Sequence, residues 1–258
     1  MESLKVKTIN DFVNAGEKPE ILFWVGSAGS FDERAKKITR AFVKILNKAN
    51  INFAVLGEQE SSSGDAAKRA GNEFLFQMQA LMNIEILNSY DITNIVTTCP
   101  HSYNTLKNEY SDLGGNYKVT HHTEFINDLI KHGKLNLTAD FNYKKITYHD
   151  PCYLGRGNDI YESPRDLIAN LNIDFVEMPR NKRKSFCCGA GGAQMFKEAE
   201  NGKFEINIIR TEEALKTGAD VIATGCPFCN TMITDGVKNI SEGQAQVKDI
   251  AELIAECI

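Results

Sequence analysis

The sequence predicts an α/β fold of two similar modules related by internal duplication, each with a mainly parallel sheet covered by helices. Three observations predict it. Short apolar runs rich in β-branched and aromatic residues alternate with stretches of helical period. The same order restarts after a Lys-, Asn- and Gly-containing stretch from about His132 to Lys144, and a spaced frame of serine and cysteine residues recurs in both halves. The modules are placed at 1–140 and 141–258.

In the first module Ile21-Leu22-Phe23-Trp24-Val25 reads as a buried strand. A helix follows from Phe31 to Asn47, where Ala35, Ile38, Ala41, Phe42, Ile45 and Leu46 recur at three-to-four spacing and form one apolar face. Phe53 to Leu56 is the next strand, a helix covers roughly Ala66 to Tyr90, Ile95-Val96-Thr97 is a third strand, and a short helix runs through Leu106. The second module repeats the plan. Its strands are Ile146 to His149, Phe175-Val176-Glu177 and Val221-Ile222-Ala223; its helices lie near Ser163 to Leu171, over Glu205 to Lys216 and after Cys229. Helices between consecutive strands are what parallel pairing requires, because a parallel connection must cross over the sheet.

Spacing tests the duplication. Between Cys152 and Cys187 lie 34 residues, and 34 also lie between Ser27 and Ser62, so that Cys187-Cys188-Gly189 faces Ser62-Ser63-Gly64. From Cys188 to Cys226 there are 37 intervening residues and from Ser63 to Cys99 there are 35, after which Cys226-Pro227-Phe228-Cys229 matches Cys99-Pro100-His101-Ser102. Similar element lengths would explain the spacing in any α/β chain. They do not explain the shared Gly and Pro.

Composition narrows the function. Of 258 residues 42% are apolar, and 34 acidic against 29 basic residues, without long runs, give a net charge of −5. Such a surface has no footprint for nucleic acid or anionic lipid. Met1 to Lys18 is polar, and no stretch approaches the roughly 18 to 20 apolar residues that span a bilayer. The expectation is a cytoplasmic chain without direct membrane insertion.

In that reducing compartment seven cysteines point to metal or redox chemistry before disulfides. Five of them, Cys152, Cys187, Cys188, Cys226 and Cys229, fall in the second half. Cys226-x-x-Cys229 presents two thiols at a predicted strand end, where open α/β sheets hold ligands. Cys152 also emerges from a strand end. Cys187 and Cys188 can serve one site only if the backbone turns sharply, which Gly189, Gly191 and Gly192 permit. Thiolates suit iron–sulfur clusters. A zinc knuckle, a redox-active thiol pair and inert packing are the alternatives, but tetrahedral zinc would leave one cysteine idle.

Other features carry less. His121-His122 reads as a strand end with one histidine in the seam between modules. His149-Asp150 could tune the site or cap a strand, and Lys182-Arg183-Lys184 is either a positive charge near an anionic cluster or a solvated loop. Gly26-Ser27-Ala28-Gly29 lacks the Lys-Ser/Thr of a phosphate loop and the full dinucleotide spacing, which excludes a nucleotide site.

The segments His149-Asp150-Pro151-Cys152-Tyr153-Leu154-Gly155-Arg156 and Cys187-Cys188-Gly189-Ala190-Gly191-Gly192, with Cys226-Pro227-Phe228-Cys229, resemble the cysteine-rich CCG domain, the duplicated module of heterodisulfide reductases and of glycolate oxidase iron–sulfur subunits. The resemblance covers nearly the whole chain. It implies that the five cysteines hold a non-cubane four-iron (4Fe-4S) cluster, and that the chain serves a heterodisulfide reductase-like oxidoreductase complex with a ferredoxin-like or flavoprotein partner and a disulfide, organic-acid or flavin substrate. Ser27, Ser62, Ser63, Cys99 and Ser102 occupy the corresponding positions of the first module. Neutral alcohols are poor substitutes for thiolates toward clustered iron, so one cluster per chain is expected, and a second, degenerate site.

Overall fold

The structure, a computed structural model, describes residues 4–138, 143–198, 201–240, 243 and 245–258. The boundary expected at 140/141 lies outside these residues. On its N-terminal side, β1 (Lys7–Thr8), α1 (Ile9–Ala15), β2 (Ile21–Trp24), α2 (Gly26–Phe31), α3 (Ala35–Lys48), β3 (Phe53–Val55), α4 (Asp65–Arg69), α5 (Glu73–Ser89), β4 (Asn94–Thr97), α6 (Pro100–Asn104), β5 (Lys118–His121) and α7 (His122–Lys131) follow in order. On its C-terminal side come β6 (Lys145–Tyr148), α8 (Gly155–Asn158), α9 (Glu162–Ala169), β7 (Asp174–Phe175), α10 (Ile206–Leu215), β8 (Val221–Thr224), α11 (Pro227–Ile240), β9 (Gln246–Asp249) and α12 (Ile250–Glu256).

Among the described residues every pairing is parallel. The first sheet runs β1-β3-β2-β4-β5 and the second β7-β6-β8-β9. With β1 removed the two orders coincide, so the duplication read from the serine and cysteine frame extends to strand topology. It extends to caps as well. His121 starts α7 and Asp249 starts α12, each with a glutamate three residues on, Glu124 or Glu252, that accepts from the cap's own N–H.

The two sheets share a core. Phe23, Phe42 and Val96 of the first half pack in one apolar cluster with Ile146, Tyr148 and Ile254 of the second. Polar contacts tie the same face: Arg34 forks onto Glu252 at 2.9 and 2.7 Å, and Lys44 donates to the carbonyl oxygens of Ala255 and Ile258 at 2.6 and 2.8 Å. A separate cluster covers the other face of each sheet, around Trp24 and Phe76 in one and Ile222 and Ile233 in the other.

Several expected boundaries shift for local reasons. The helix expected to start at Phe31 begins at Ala35, because the Asp32 carboxylate accepts from the Ala35 N–H at 2.7 Å and restarts the chain; Phe31 ends α2, 82% exposed. The single helix expected over Ala66 to Tyr90 is two, broken where Gly71 adopts φ +85° and Asn72 caps Leu75. The helix expected after Cys229 starts at Pro227 and places Cys229 in its first turn. β1 and α1 lie in a segment whose apolar pattern predicts no element; their signal is the Thr8/Asp11 capping box.

Candidate metal centre

Loops at the C-terminal ends of β6 and β8 meet the Cys187-Cys188 segment, and the five cysteines come together. Cys188, Cys226 and Cys229 are at most 4% exposed, while Cys152 and Cys187 are half-buried, and all are free thiols. Gly189 makes the turn the doublet needs: its φ of +94° suits glycine, and its N–H donates to the Cys187 sulfur at 3.2 Å. Gly192 is also left-handed at +66°, whereas Gly191 is not, so the expectation that all three glycines shape the turn holds for two.

The sulfurs interact in series, from Cys152 to Cys187, Cys188, Cys229 and Cys226. Cys187 is held well below the ordinary thiol range by the Cys152 and Cys188 thiols, helped by the Gly189 N–H and by His149. Burial opposes ionisation of Cys226, yet the Cys229 thiol, His101 and two backbone N–H groups hold it below the usual value. Cys152, Cys188 and Cys229 are pushed up, the first two chiefly by Cys187 and the third by Cys188. A buried nest of five sulfurs, two of them held below the usual thiol range, forms a donor set suited to positive charge.

A polar frame fixes this nest. Asp150, two residues before Cys152, is gripped by Arg165 through two bonds of 2.8 and 2.9 Å and accepts from the Lys182 N–H at 2.7 Å. Arg165 also forks onto Glu177. Fully buried Arg210 donates to His149 Nδ1 at 3.0 Å and pairs with Glu213 at 3.2 Å. Since guanidinium only donates, Nδ1 carries the lone pair and His149 keeps its proton on Nε2. Burial, then Arg210, hold its pKa well below the ordinary value. Sequence reasoning found His149 and Asp150 but missed Arg165, Arg210 and Glu213. Of the basic run, Lys182 pairs with Glu162 while Arg183 and Lys184 are exposed, which is the solvated loop.

The serine-filled frame converges too. Ser27, Ser62, Ser63, Cys99 and Ser102 all line one cavity of about 60 Å³, shared with Ala190, Gly192 and Phe228 of the second half. His101 and Phe228, equivalent in the two frames, meet with ring centroids 5.4 Å apart. His101 gives Nδ1 to Asp65 at 2.8 Å and lies on Tyr153 with centroids 4.5 Å apart. Burial, with nearby Cys226, drives the Cys99 thiol up. Both adjacent histidines, not one, lie in the seam: His121 packs beside Gly225, and buried His122 Nε2 meets Asp249 Oδ1 at 2.8 Å.

Glu60, which sequence reasoning also missed, braces the entrance to this frame by accepting from the N–H groups of Val25 and Gly26 at 3.0 and 2.5 Å. Burial outweighs those bonds and raises its pKa from 4.5 to about 7. Between those values the folded chain holds a proton that the unfolded chain has released, so Glu60 subtracts stability as pH rises through the window. Glu60→Gln is therefore expected to flatten the fall in denaturation midpoint between about pH 4.5 and about pH 7.5. Parallel curves for the two proteins would contradict it.

Comparison with known proteins adds relatives. The family model of the cysteine-rich domain called CCG matches residues 21–107 and again residues 146–234. A protein of Bacillus subtilis named probable iron-sulfur-binding oxidoreductase FadF is 44% identical over 98% of this chain and 36% of its own length. The EtfAB:quinone oxidoreductase of Syntrophomonas wolfei is 41% identical over 95% of this chain and 35% of its own. A component of the dihydromethanophenazine:CoB--CoM heterodisulfide reductase of Methanosarcina barkeri is 32% identical over 95% and 61%. The chain thus spans about a third to three fifths of these relatives. Among the described residues no helix is long and apolar enough to cross a membrane.

Proposed function

Because this chain belongs to the cysteine-rich CCG domain family, we propose that it is the iron–sulfur portion of an oxidoreductase, with Cys152, Cys187, Cys188, Cys226 and Cys229 holding a single four-iron cluster of non-cubane type. The observation that carries the proposal is the serial contact of five buried or half-buried sulfurs, two of them held below the usual thiol range. The bound cluster would supply one-electron transfer. The chain's own residues hold the thiols in place: Asp150 and Arg165 brace the loop that carries Cys152, and Arg210 fixes the ring of His149, which lies beside Cys188 and Cys229. A flavoprotein, ferredoxin-like or quinone-linked partner fits the relatives' names, and reduction of a small disulfide fits the heterodisulfide reductase component. The cytoplasm is the proposed compartment, since its reducing poise keeps these thiols free.

One observation favours a zinc-stabilised module instead. His149, Cys188 and Cys229 bring one ligand atom each within 4.8 Å of one another. Arg210 weighs against it, because it occupies the Nδ1 lone pair and leaves Nε2 protonated, so neither nitrogen is free to bind metal. Anaerobic reduction decides between them. The cluster reading expects a coloured protein whose visible absorbance bleaches with dithionite and recovers on oxidation; a colourless zinc protein would sink it.

A further inference from the structure

The fold gathers positive charge that the sequence scatters. A groove of about 1320 Å³ is lined by Lys5, Lys7, Arg40, Lys44 and Lys48, and among the described residues no acid lines it. This concentration occurs in a chain whose net charge is −5. Arg40, Lys44 and Lys48 recur every four residues along α3, a stripe of like charges that weakens a helix unless anions answer it. Asn47 holds Lys5 against the same end of α3, its side chain accepting from the Lys5 N–H at 2.8 Å and donating to the Lys5 carbonyl at 2.9 Å. Among the described residues the side chains of Lys5, Arg40 and Lys48 make no hydrogen bond or ion pair, and all three are exposed. Glu33, whose field Arg40 shares, is taken by Lys36 at 2.6 Å. Of the five cations Lys7 alone pairs with an acid, Glu17 at 3.2 Å, while Lys44 meets two carbonyl oxygens that leave its charge unneutralised.

Size, lining and place restrict the occupant. The volume exceeds the roughly 300–1,000 Å³ of small-molecule sites, so it suits a segment of polypeptide. Part of the lining is apolar: Ala41, Ile51 and Ile258 are half-buried, and Leu4 is 41% exposed. A duplex nucleic acid or a lipid surface would extend past the groove onto a chain of net negative charge, whereas a short acidic segment ends with the groove. The groove lies where α3 ends and β3 starts, at the N-terminal edge of the first sheet. The cysteine nest lies at the C-terminal ends of β6 and β8, beyond the cavity that Ser27 and Cys99 share with Phe228.

From this geometry we infer that the groove docks an acidic segment of a partner protein, its carboxylates paired with Lys5, Arg40 and Lys48 and its apolar side chains laid on Leu4, Ile51 and Ile258. Docking there anchors the partner at a distance from the cysteines. The inference is independent of the cluster assignment, since no groove residue is a proposed cluster ligand.

Fluorescence anisotropy of the anaerobically purified protein tests it, with a labelled peptide in which aspartates and glutamates flank a pair of leucines. Saturable one-to-one binding is expected, with an affinity that falls as salt is added. The double variant Arg40→Glu/Lys48→Glu should weaken it about tenfold or more, and Lys5→Glu alone about fivefold. These side chains are exposed, so iron and helix content should stay those of the parent. Lys216→Glu, a charge reversal at the end of α10 and outside the groove, should leave binding unchanged. Absence of saturable binding, equal binding of a peptide with lysine in place of each acid, or unchanged affinity in the groove variants would each overturn it. So would tighter binding of phosphatidylglycerol vesicles or duplex DNA than of the acidic peptide.

Discussion

Cys229→Ser is expected to reduce bound iron from about four atoms per chain to below about one without unfolding the protein. Cys229 lies in the sulfur series between Cys188 and Cys226, in the first turn of α11 and 2% exposed. Serine fits the same space, so helix content should survive. Its hydroxyl is a hard, neutral donor in place of a soft anion and cannot replace the thiolate toward clustered iron. Cys188→Ser should behave alike. Cys257→Ser changes a thiol that packs in the shared core with Ile250 and Ile254, and Cys99→Ser completes a frame already filled with serine; both should keep their iron. Iron analysis and visible absorbance check all four, and unchanged iron in Cys229→Ser would overturn the ligand assignment.

Arg165→Ala is expected to cost about 3–5 kcal/mol of stability, the range for removing one partner of a buried ion pair. The Asp150 side chain is only 3% exposed and would keep a backbone N–H from Lys182 as its main remaining partner. Glu177 would lose its partner as well, although at 33% exposure water can replace it. The effect should reach the metal centre, because Asp150 sits two residues before Cys152. Urea denaturation of the metal-free protein reads the stability loss, and pairing Arg165→Met with Asp150→Asn should recover much of it by removing the stranded charge. A single-variant loss under about 1 kcal/mol would show that the pair does not brace the loop.

The fold was legible where periodicity and spacing were strong. Ile38, Phe42 and Ile45 marked the buried face of α3, and the matching frames predicted two similar, mainly parallel sheets; that their strand orders coincide came from the structure. Breaks set by one side chain were not legible: Asp32 before α3 and Asn72 before α5 act through single hydrogen bonds that leave the apolar pattern intact. The α7 and α12 equivalence escaped for a related reason, since its shared signal is a glutamate three residues after unlike caps, His121 and Asp249. At the site, cysteine spacing announced itself. Arg165, Arg210 and Glu213 did not, because charged residues on amphipathic helices ordinarily face water, and only the fold turns these three inward. Glu60 is likewise an acid in a polar loop until the Val25 and Gly26 N–H groups are seen to point at it.

Counting iron and acid-labile sulfide on anaerobically purified protein tests the central claim most directly. One intact frame and one serine-filled frame predict about four irons with matching sulfide per chain. About eight irons, or a single zinc without sulfide, would contradict it.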